Sequence, residues 1–402
     1  MSQLPPYISD EDADTTLRVL SHIMAHGLGG IPMQKANRIR ILAKDIAAGR
    51  YFKPNTPRKL FSRCYICRRQ REYDITPEAP PLCEICTTFN AARRADIAVP
   101  DLFHQKSALV TGGRINLGYS VALALLRGGA SSVIVTTRFP EDALTRYMLE
   151  SDYELWCAQL HILQADFTSP SSIQKALEAI HGICKTTSSG RLDILINNAA
   201  LTVPIPEPEY QRLIANEQRL ITADHHALAA IDNALVTTPH PGNAWESRYC
   251  DFTYQELLDV LAINAVCPFI LIRECVRMML HNTDTHIINV SSREGMFEIE
   301  GNRRTAAHVH TNMAKAALNM CTQTLAEEFR GQRVYINSVD PGYLSHQHSV
   351  THNGKNGQEE FDVPLSWQDG AARVLHPIIR KPPITGAFFK DFTERNWTNG
   401  WV

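Results

Sequence analysis

Four cysteines in the stretch CYICRRQREYDITPEAPPLCEIC, residues 64–86, have the spacing of a metal site. Cys64 and Cys67 form one Cys-x-x-Cys pair, and Cys83 and Cys86 form a second. Each pair makes a tight knuckle whose sulfurs converge, and two knuckles complete the tetrahedron that Zn²⁺ accepts. Four thiolates close the coordination sphere and leave no position for water, so the Zn²⁺ expected here is structural. The segment holds little apolar material, and metal binding would supply most of its local folding energy. The remaining cysteines stand singly in hydrophobic segments. That usage suits a reducing compartment better than a disulfide framework.

A second constellation is SALVTGGRINLGYSVALALLRGGA, which reads as a strand, a glycine-bearing turn and a helix. Glycines in such a turn let the backbone approach a pyrophosphate, which then sits on the helix N-terminus. This segment resembles the short-chain dehydrogenase/reductase family, whose first turn reads Thr-Gly-x-x-x-Gly-x-Gly. Here Thr111 and Gly112 open the turn, Arg114 and Ile115 follow, Asn116 replaces the middle glycine and Gly118 is the last. Asn tolerates a left-handed backbone better than most residues, so the turn is expected to survive. The next strand ends in Thr137-Arg138. An acid there would select NAD, whereas an arginine can pair with a 2′-phosphate. Arg138 and Arg114 therefore favour NADP(H), the alternative for Arg138 being a plain surface residue after an edge turn. Other family marks keep their order. Asp166 matches the acid that contacts adenine, Asn197-Asn198-Ala199-Ala200 the stretch after the fourth strand, and Pro341-Gly342 the turn beside the nicotinamide.

The resemblance also implies a catalytic quartet of Asn, Ser, Tyr and Lys. Asn264 matches the asparagine, and Ser292 the serine, with Ser291 its fallback. Lys315 matches the lysine, which holds the nicotinamide ribose. One helical turn before it, in HVHTNMAKAALNM, stands Thr311 where the family has tyrosine. An unperturbed tyrosine titrates near ~10, within reach of a neighbouring cation. A threonine hydroxyl is a far weaker acid on a shorter side chain, so it can bond a substrate but hardly protonate an alkoxide. His308, seven residues before Lys315 and hence expected on the same helix face, is the substitute acid to consider. It could equally be an exposed loop histidine. Glu294 is a lesser candidate.

Around these residues the chain organises as three regions: helical patterns over 1–60, the four-cysteine module over 61–98, and an α/β region over 99–402. In the last, SALVTGG, SSVIVTTR, LHILQAD, LDILINNAA, HIINVSS and VYINSVDPG read as strands alternating with amphipathic helices. That alternation argues a Rossmann-type, doubly wound parallel sheet carrying the helical and zinc-ribbon-like extension. A long insertion at about 201–247 leaves the carboxyl edge of the sheet, where ligands bind, and is expected to cover the substrate or form an interface. The polar segment after Gly342 matches the family's substrate lid.

A net charge of −2 with 20% charged residues gives no global pull toward nucleic acid or anionic membrane. A basic run from Lys35 to Arg71 reads as a solvated face or partner surface rather than a nucleic-acid site. No uninterrupted apolar run approaches the ~18 residues of a membrane span, and the acidic start MSQLPPYISDEDAD lacks the apolar core of a signal peptide. A cytoplasmic protein is expected. Two functions compete: an NADP(H)-dependent oxidoreductase of carbonyl, alcohol or enone substrates with an altered proton donor, and an inactive NADP(H)-binding scaffold meeting a protein partner through its N-terminal modules. Relatives in the family often self-associate, which implies a homo-oligomer.

Overall fold

The structure is a computed structural model that describes Arg18 and residues 60–73, 81–201, 207–222, 248–297, 307–344 and 364–397. The expected N-terminal helices, most of the basic run and of the insertion, and the segment after Leu344 lie outside the described residues. The chain divides into two compact units, one of residues 1–60 with 73–76, the other of 61–72 with 77–402. The four-cysteine segment, expected as a module of its own, belongs to the second unit together with the α/β region.

Strands β1 (Leu60–Arg63) and β2 (Gln70–Tyr73) form a two-stranded sheet, and helix α1 (Glu84–Ile97) follows. Then come β3 (Ser107–Thr111), α2 (Asn116–Arg127), β4 (Ser132–Thr137), α3 (Pro140–Met148), β5 (Leu160–Gln164) and α4 (Pro170–Thr187). After β6 (Ile194–Asn197) the insertion contributes α5 (Glu207–Thr222). A long helix follows as α6 (Tyr254–Leu261), a π turn (Ala262–Val266) and α7 (Cys267–Met279). The chain continues through β7 (Thr285–Val290), α8 (Val309–Glu328), β8 (Val334–Asp340), α9 (Trp367–Ile379), β9 (Phe388–Lys390) and β10 (Thr393–Arg395).

The main sheet has the order β10-β9-β8-β7-β6-β3-β4-β5, parallel throughout except at β10. Its direction of growth reverses between β3 and β6, the switch point at which doubly wound sheets open a ligand crevice. All six strands read from the sequence are present, and the sheet is the doubly wound one expected. The final pair β9–β10 had no period-2 pattern long enough to announce it.

Burial on both faces explains why the strands are continuous apolar runs rather than alternating ones. Within β3, Ala108 and Val110 join one core with residues of α2 and α9, while Leu109 joins a second with residues of α4 and α7. A fully buried side chain such as Val110 or Leu109 contributes roughly 1.5–3 kcal/mol relative to exposure. The helix running from Tyr254 to Met279 is long and apolar enough to cross a membrane. Here it covers the sheet, burying Val260, Asn264, Cys267, Leu271, Ile272, Cys275 and Met279.

The cysteine segment enters the first of those cores. Cys64, Leu82 and Cys86 are buried in it alongside Leu344, Leu365 and residues of α9. Two polar links fasten it: Arg94 pairs with Asp369 at the start of α9, and Tyr65 Oη accepts the backbone N–H of Tyr343 at 2.9 Å.

Candidate active site

The glycine turn after β3 has the backbone its sequence requires. Gly112 lies at φ +70°, and Asn116 takes the left-handed conformation, φ 59°, in place of the family's glycine. A Cβ on Gly118 would stand 2.2 Å from Gly112 O and 2.4 Å from Asn198 Nδ2, so only glycine fits there. Ile115 is the extended residue that enters α2. Thr111 Oγ1 accepts the backbone N–H groups of Asn198 and Ala199, both at 2.9 Å, and Asn198 Nδ2 donates to Thr111 O at 2.9 Å. These bonds tie the turn to the end of β6 across the switch point.

The arginines separate in role. Arg114 Nη1 bonds Asp142 Oδ2 at 2.6 Å, and Arg146 Nε shares that oxygen at 2.9 Å. Asp142 is buried; burial alone would raise its pKa, but the two guanidinium groups prevail and hold it below the usual carboxylate range. Arg114 thus spends one of its N–H groups on Asp142. Arg138, half-buried, lies over the rings of Phe139 and Tyr210. Asp166 Oδ1 accepts Thr168 N–H at 2.9 Å, closing the turn after β5.

Helix α8 packs on the π turn of Asn264 and on the short turn Arg293–Gly295 that follows Ser292. The second approach depends on Gly295, where a Cβ would meet the backbone of Lys315 at 2.6 Å. Ser291 and Ser292 are not equivalent. Ser291 Oγ donates to Asn319 Oδ1 at 2.6 Å, whereas Ser292 Oγ is buried without a hydrogen-bond partner among the described residues. The same is true of Thr311 Oγ1 and Asn264 Oδ1. Asn264 Nδ2 donates to Leu201 O at 2.6 Å and to Val260 O at 2.9 Å, which fixes the side chain and leaves its oxygen unused. A buried polar group without a partner costs roughly 1–3 kcal/mol, and a ligand or a water would satisfy these three. The π turn at Asn264 is itself a feature frequent at functional sites.

Lys315 lies buried on the same helix, its Nζ donating to Val290 O at 2.9 Å. Burial lowers its pKa to about 8. His308 is not in the helix: α8 starts at Val309, and His308 is its left-handed N-cap at φ 46°. The expected sharing of a helix face with Lys315 therefore fails, because the helical repeat does not extend back to 308. Glu294 lies in the turn packed on α8.

Pro341 and Gly342 sit above a buried carboxylate. Asp340 accepts Gly342 N–H at 2.8 Å, Arg293 N–H at 3.2 Å and the ammonium of Lys390 at 2.7 Å. Burial would raise the Asp340 pKa, but Lys390 holds it low. One side chain thereby joins the turn after Ser292 to the turn after β8.

The four cysteine sulfurs lie within 4.8 Å of one another. Cys67 Sγ and Cys83 Sγ are 3.7 Å apart, close to the ~3.8 Å edge of a tetrahedron with 2.3 Å Zn–S bonds. Cys83 N–H points at Cys64 Sγ at 3.4 Å. Burial opposes ionisation of Cys64, yet the backbone N–H groups around it prevail and bring its pKa down to about 6.

Sequence reasoning missed Tyr65, Tyr210, Glu217, Gly295 and Asn319. Gly295 and Asn319 carried a signal: a glycine three residues past Ser292, and an asparagine one turn past Lys315. The aromatic and acidic residues of the insertion carried none. Its described helix lies on α3, which follows Arg138 at the end of β4, and Glu217 fastens it there.

Residues 106–221 match the family model described as short chain dehydrogenase, and residues 221–363 the one described as enoyl-(acyl carrier protein) reductase. An uncharacterized protein R665 of Acanthamoeba polyphaga mimivirus is 29% identical over 321 residues, 74% of this chain and 65% of that protein's length. The chain thus spans just under two thirds of that relative. The peroxisomal 2,4-dienoyl-CoA reductase of Danio rerio is 24% identical, covering 70% of this chain and 76% of the reductase. Among solved structures, angucycline C-6 ketoreductase LanV with bound NADP superposes with a TM-score of 0.51 at 21% identity, covering 71% of this chain and 94% of LanV. Carbonyl reductase Sniffer of D. melanogaster gives 0.50 at 22%, over 74% and 100%. At such identities these structures speak for the fold alone.

Proposed function

Since this chain belongs to the short-chain dehydrogenase family, we propose that it is an NADP(H)-dependent oxidoreductase acting on a carbonyl, alcohol or enone. The carrying observation is the arrangement on α8: Lys315 is buried beside the end of β7, while Ser292 Oγ, Asn264 Oδ1 and Thr311 Oγ1 are left unsatisfied. NADP(H), when bound, supplies or accepts the hydride. Residues Thr111, Gly112, Asn116, Gly118 and Asn198 would carry its pyrophosphate side, Asp166 its adenine, Arg138 its 2′-phosphate, and Lys315, Pro341 and Gly342 its nicotinamide end. Ser292 donates a hydrogen bond to the substrate oxygen, and Asn264 holds a water through its free carbonyl oxygen. Thr311, buried in the first turn of α8, is too weak an acid to protonate the product.

The proton comes from Lys315. Its pKa of about 8 puts it near operating pH, where a general acid is most effective. His308, outside the helix, is the lesser donor. Four thiolates at tetrahedral spacing would hold a structural Zn²⁺. Exposed Leu258, Val266, Phe269, Met313 and Met320 on the α6–α7 and α8 helices support self-association. The buried single residues Cys184, Cys267 and Cys275 suit a reducing, cytoplasmic setting.

Fluorescence titration with NADPH, followed by NADPH oxidation with a panel of ketones and enones, tests this reading. Binding with turnover that falls as pH rises past about 8 and survives His308→Ala is expected. Thr311 favours a second reading, an inactive NADP(H)-binding scaffold. Tight binding with no turnover across the panel would select it, and no binding would exclude both.

A further inference from the structure

We propose that α5, the described helix of the insertion, selects the cofactor: Tyr210 and Glu217 hold Arg138 in place for a 2′-phosphate. The inference rests on the NADP(H) reading above.

Three arginines gather beyond β4, and two of them, Arg114 and Arg146, share the buried carboxylate of Asp142. Arg138 has no carboxylate partner among the described residues. Its Cζ lies 5.3 Å from the ring centroid of Tyr210 and 5.7 Å from that of Phe139. Aromatic faces attract a guanidinium through their quadrupole and restrict its motion without cancelling its charge. Arg138 is therefore oriented yet still able to pair with an anion.

Tyr210 owes its position to the helix that carries it. Leu213, Glu217 and Leu220 form the buried stripe of α5 at helical spacing. Glu217 is the polar member, and its two oxygens accept the N–H groups of Glu141 at 2.7 Å and Asp142 at 3.0 Å. Those N–H groups open α3 and have no intrahelical acceptor, and the positive end of the helix favours a carboxylate there. The bonds set the register of α5 on α3, and Tyr210, seven residues earlier on the same face, is thereby placed on Arg138. Phe139 meets the Tyr210 ring edge-on at 5.9 Å and completes the enclosure. Because Glu217 already fills the N-terminus of α3, a 2′-phosphate arriving at β4 has Arg138 as its recognition group. Tyr210 and Glu217 are positioning residues acting through it.

The test compares NADPH and NADH dissociation constants for the full chain and for Tyr210→Ala, Tyr210→Phe and Glu217→Gln. Loss of one cation–aromatic contact predicts a rise of about tenfold in the NADPH constant for Tyr210→Ala, with NADH changed less than about twofold. Tyr210→Phe, which keeps the ring, retains the wild-type ratio, and Glu217→Gln falls between. If the wild type prefers NADPH and Tyr210→Ala keeps the same ratio, the inference is overturned while the cofactor reading stands. An equal loss for both cofactors also overturns it, marking a merely structural role. A wild type that does not distinguish the cofactors overturns both.

Discussion

Replacing Lys315 by methionine should stabilise the protein while removing its capacity for turnover. The side chain is buried, and burial brings its pKa from the ordinary 10.5 to about 8. At about 1.4 kcal/mol per pH unit, holding the ammonium inside the folded chain at neutral pH costs about 3 kcal/mol relative to the unfolded chain. Methionine removes that cost but leaves Val290 O, now bonded at 2.9 Å, without its donor, a loss of about 1 kcal/mol. The expected net gain at pH 7 is about 2 kcal/mol. A second signature comes from the wild type alone. Between the folded pKa of about 8 and the unfolded value of 10.5, the unfolded chain binds the extra proton. Stability contributed by this group is therefore lowest below pH 8 and rises as pH climbs toward 10.5. Chemical denaturation of both proteins at pH 7, 8, 9 and 10 measures the two effects together. The wild type should gain on the variant across the series. A variant less stable than wild type at pH 7, with a gap that stays constant to pH 10, would refute the burial argument and with it the choice of Lys315 as proton donor.

Ser292→Ala should reduce turnover about a hundredfold with little change in melting temperature, since Ser292 Oγ has no hydrogen-bond partner among the described residues; Ser291→Ala should instead lower stability by about 1 kcal/mol through the lost bond to Asn319. Gly118→Ala should abolish NADPH binding in a fluorescence titration, because its Cβ would collide with Gly112 O. Purified under reducing conditions, the protein should carry one Zn²⁺ per chain by metal analysis, and Cys83→Ser should lose it. Tyr65→Phe should weaken thermal stability by about 1 kcal/mol, read in melting curves, because Tyr343 N–H loses its acceptor.

Much of this was readable beforehand for a simple reason. Parallel strands buried on both faces are written as apolar runs, and a turn that must approach phosphates is written in glycine, so β3 to β8 and the Thr111–Gly118 turn stand out in one dimension. The cysteine tetrad is legible because knuckle geometry constrains each pair to the Cys-x-x-Cys spacing. What was hidden depends on contacts between residues far apart. No local pattern reveals that Arg114 pairs with Asp142, 28 residues on. The spacing of His308 from Lys315 predicts a shared helix face, but α8 starts after the left-handed backbone at 308, which no residue type there demands. The seat of α5 is set by Glu217 accepting two N–H groups some 75 residues earlier, a pairing with no trace in periodicity.

The links between the cysteine segment and α9 also bear on how the chain is made. Tyr65 and Tyr343 are 278 residues apart, and Arg94 and Asp369 are 275 apart. Synthesis proceeds from the N-terminus, so the knuckles emerge long before the surfaces that will cover them. Throughout that interval the apolar faces around Cys64, Leu82 and Cys86 lack the α9 side of their core, and a bound metal ion would supply local ordering. The sheet can pair strand by strand as it emerges, from β3 to β8, but its first core cannot close until residues 364–379 have been added. Final consolidation is thus a late, long-range event joining nearly the first described segment to nearly the last, and a chain truncated before α9 should leave the exposed cysteines open to oxidation and the half-built core open to aggregation.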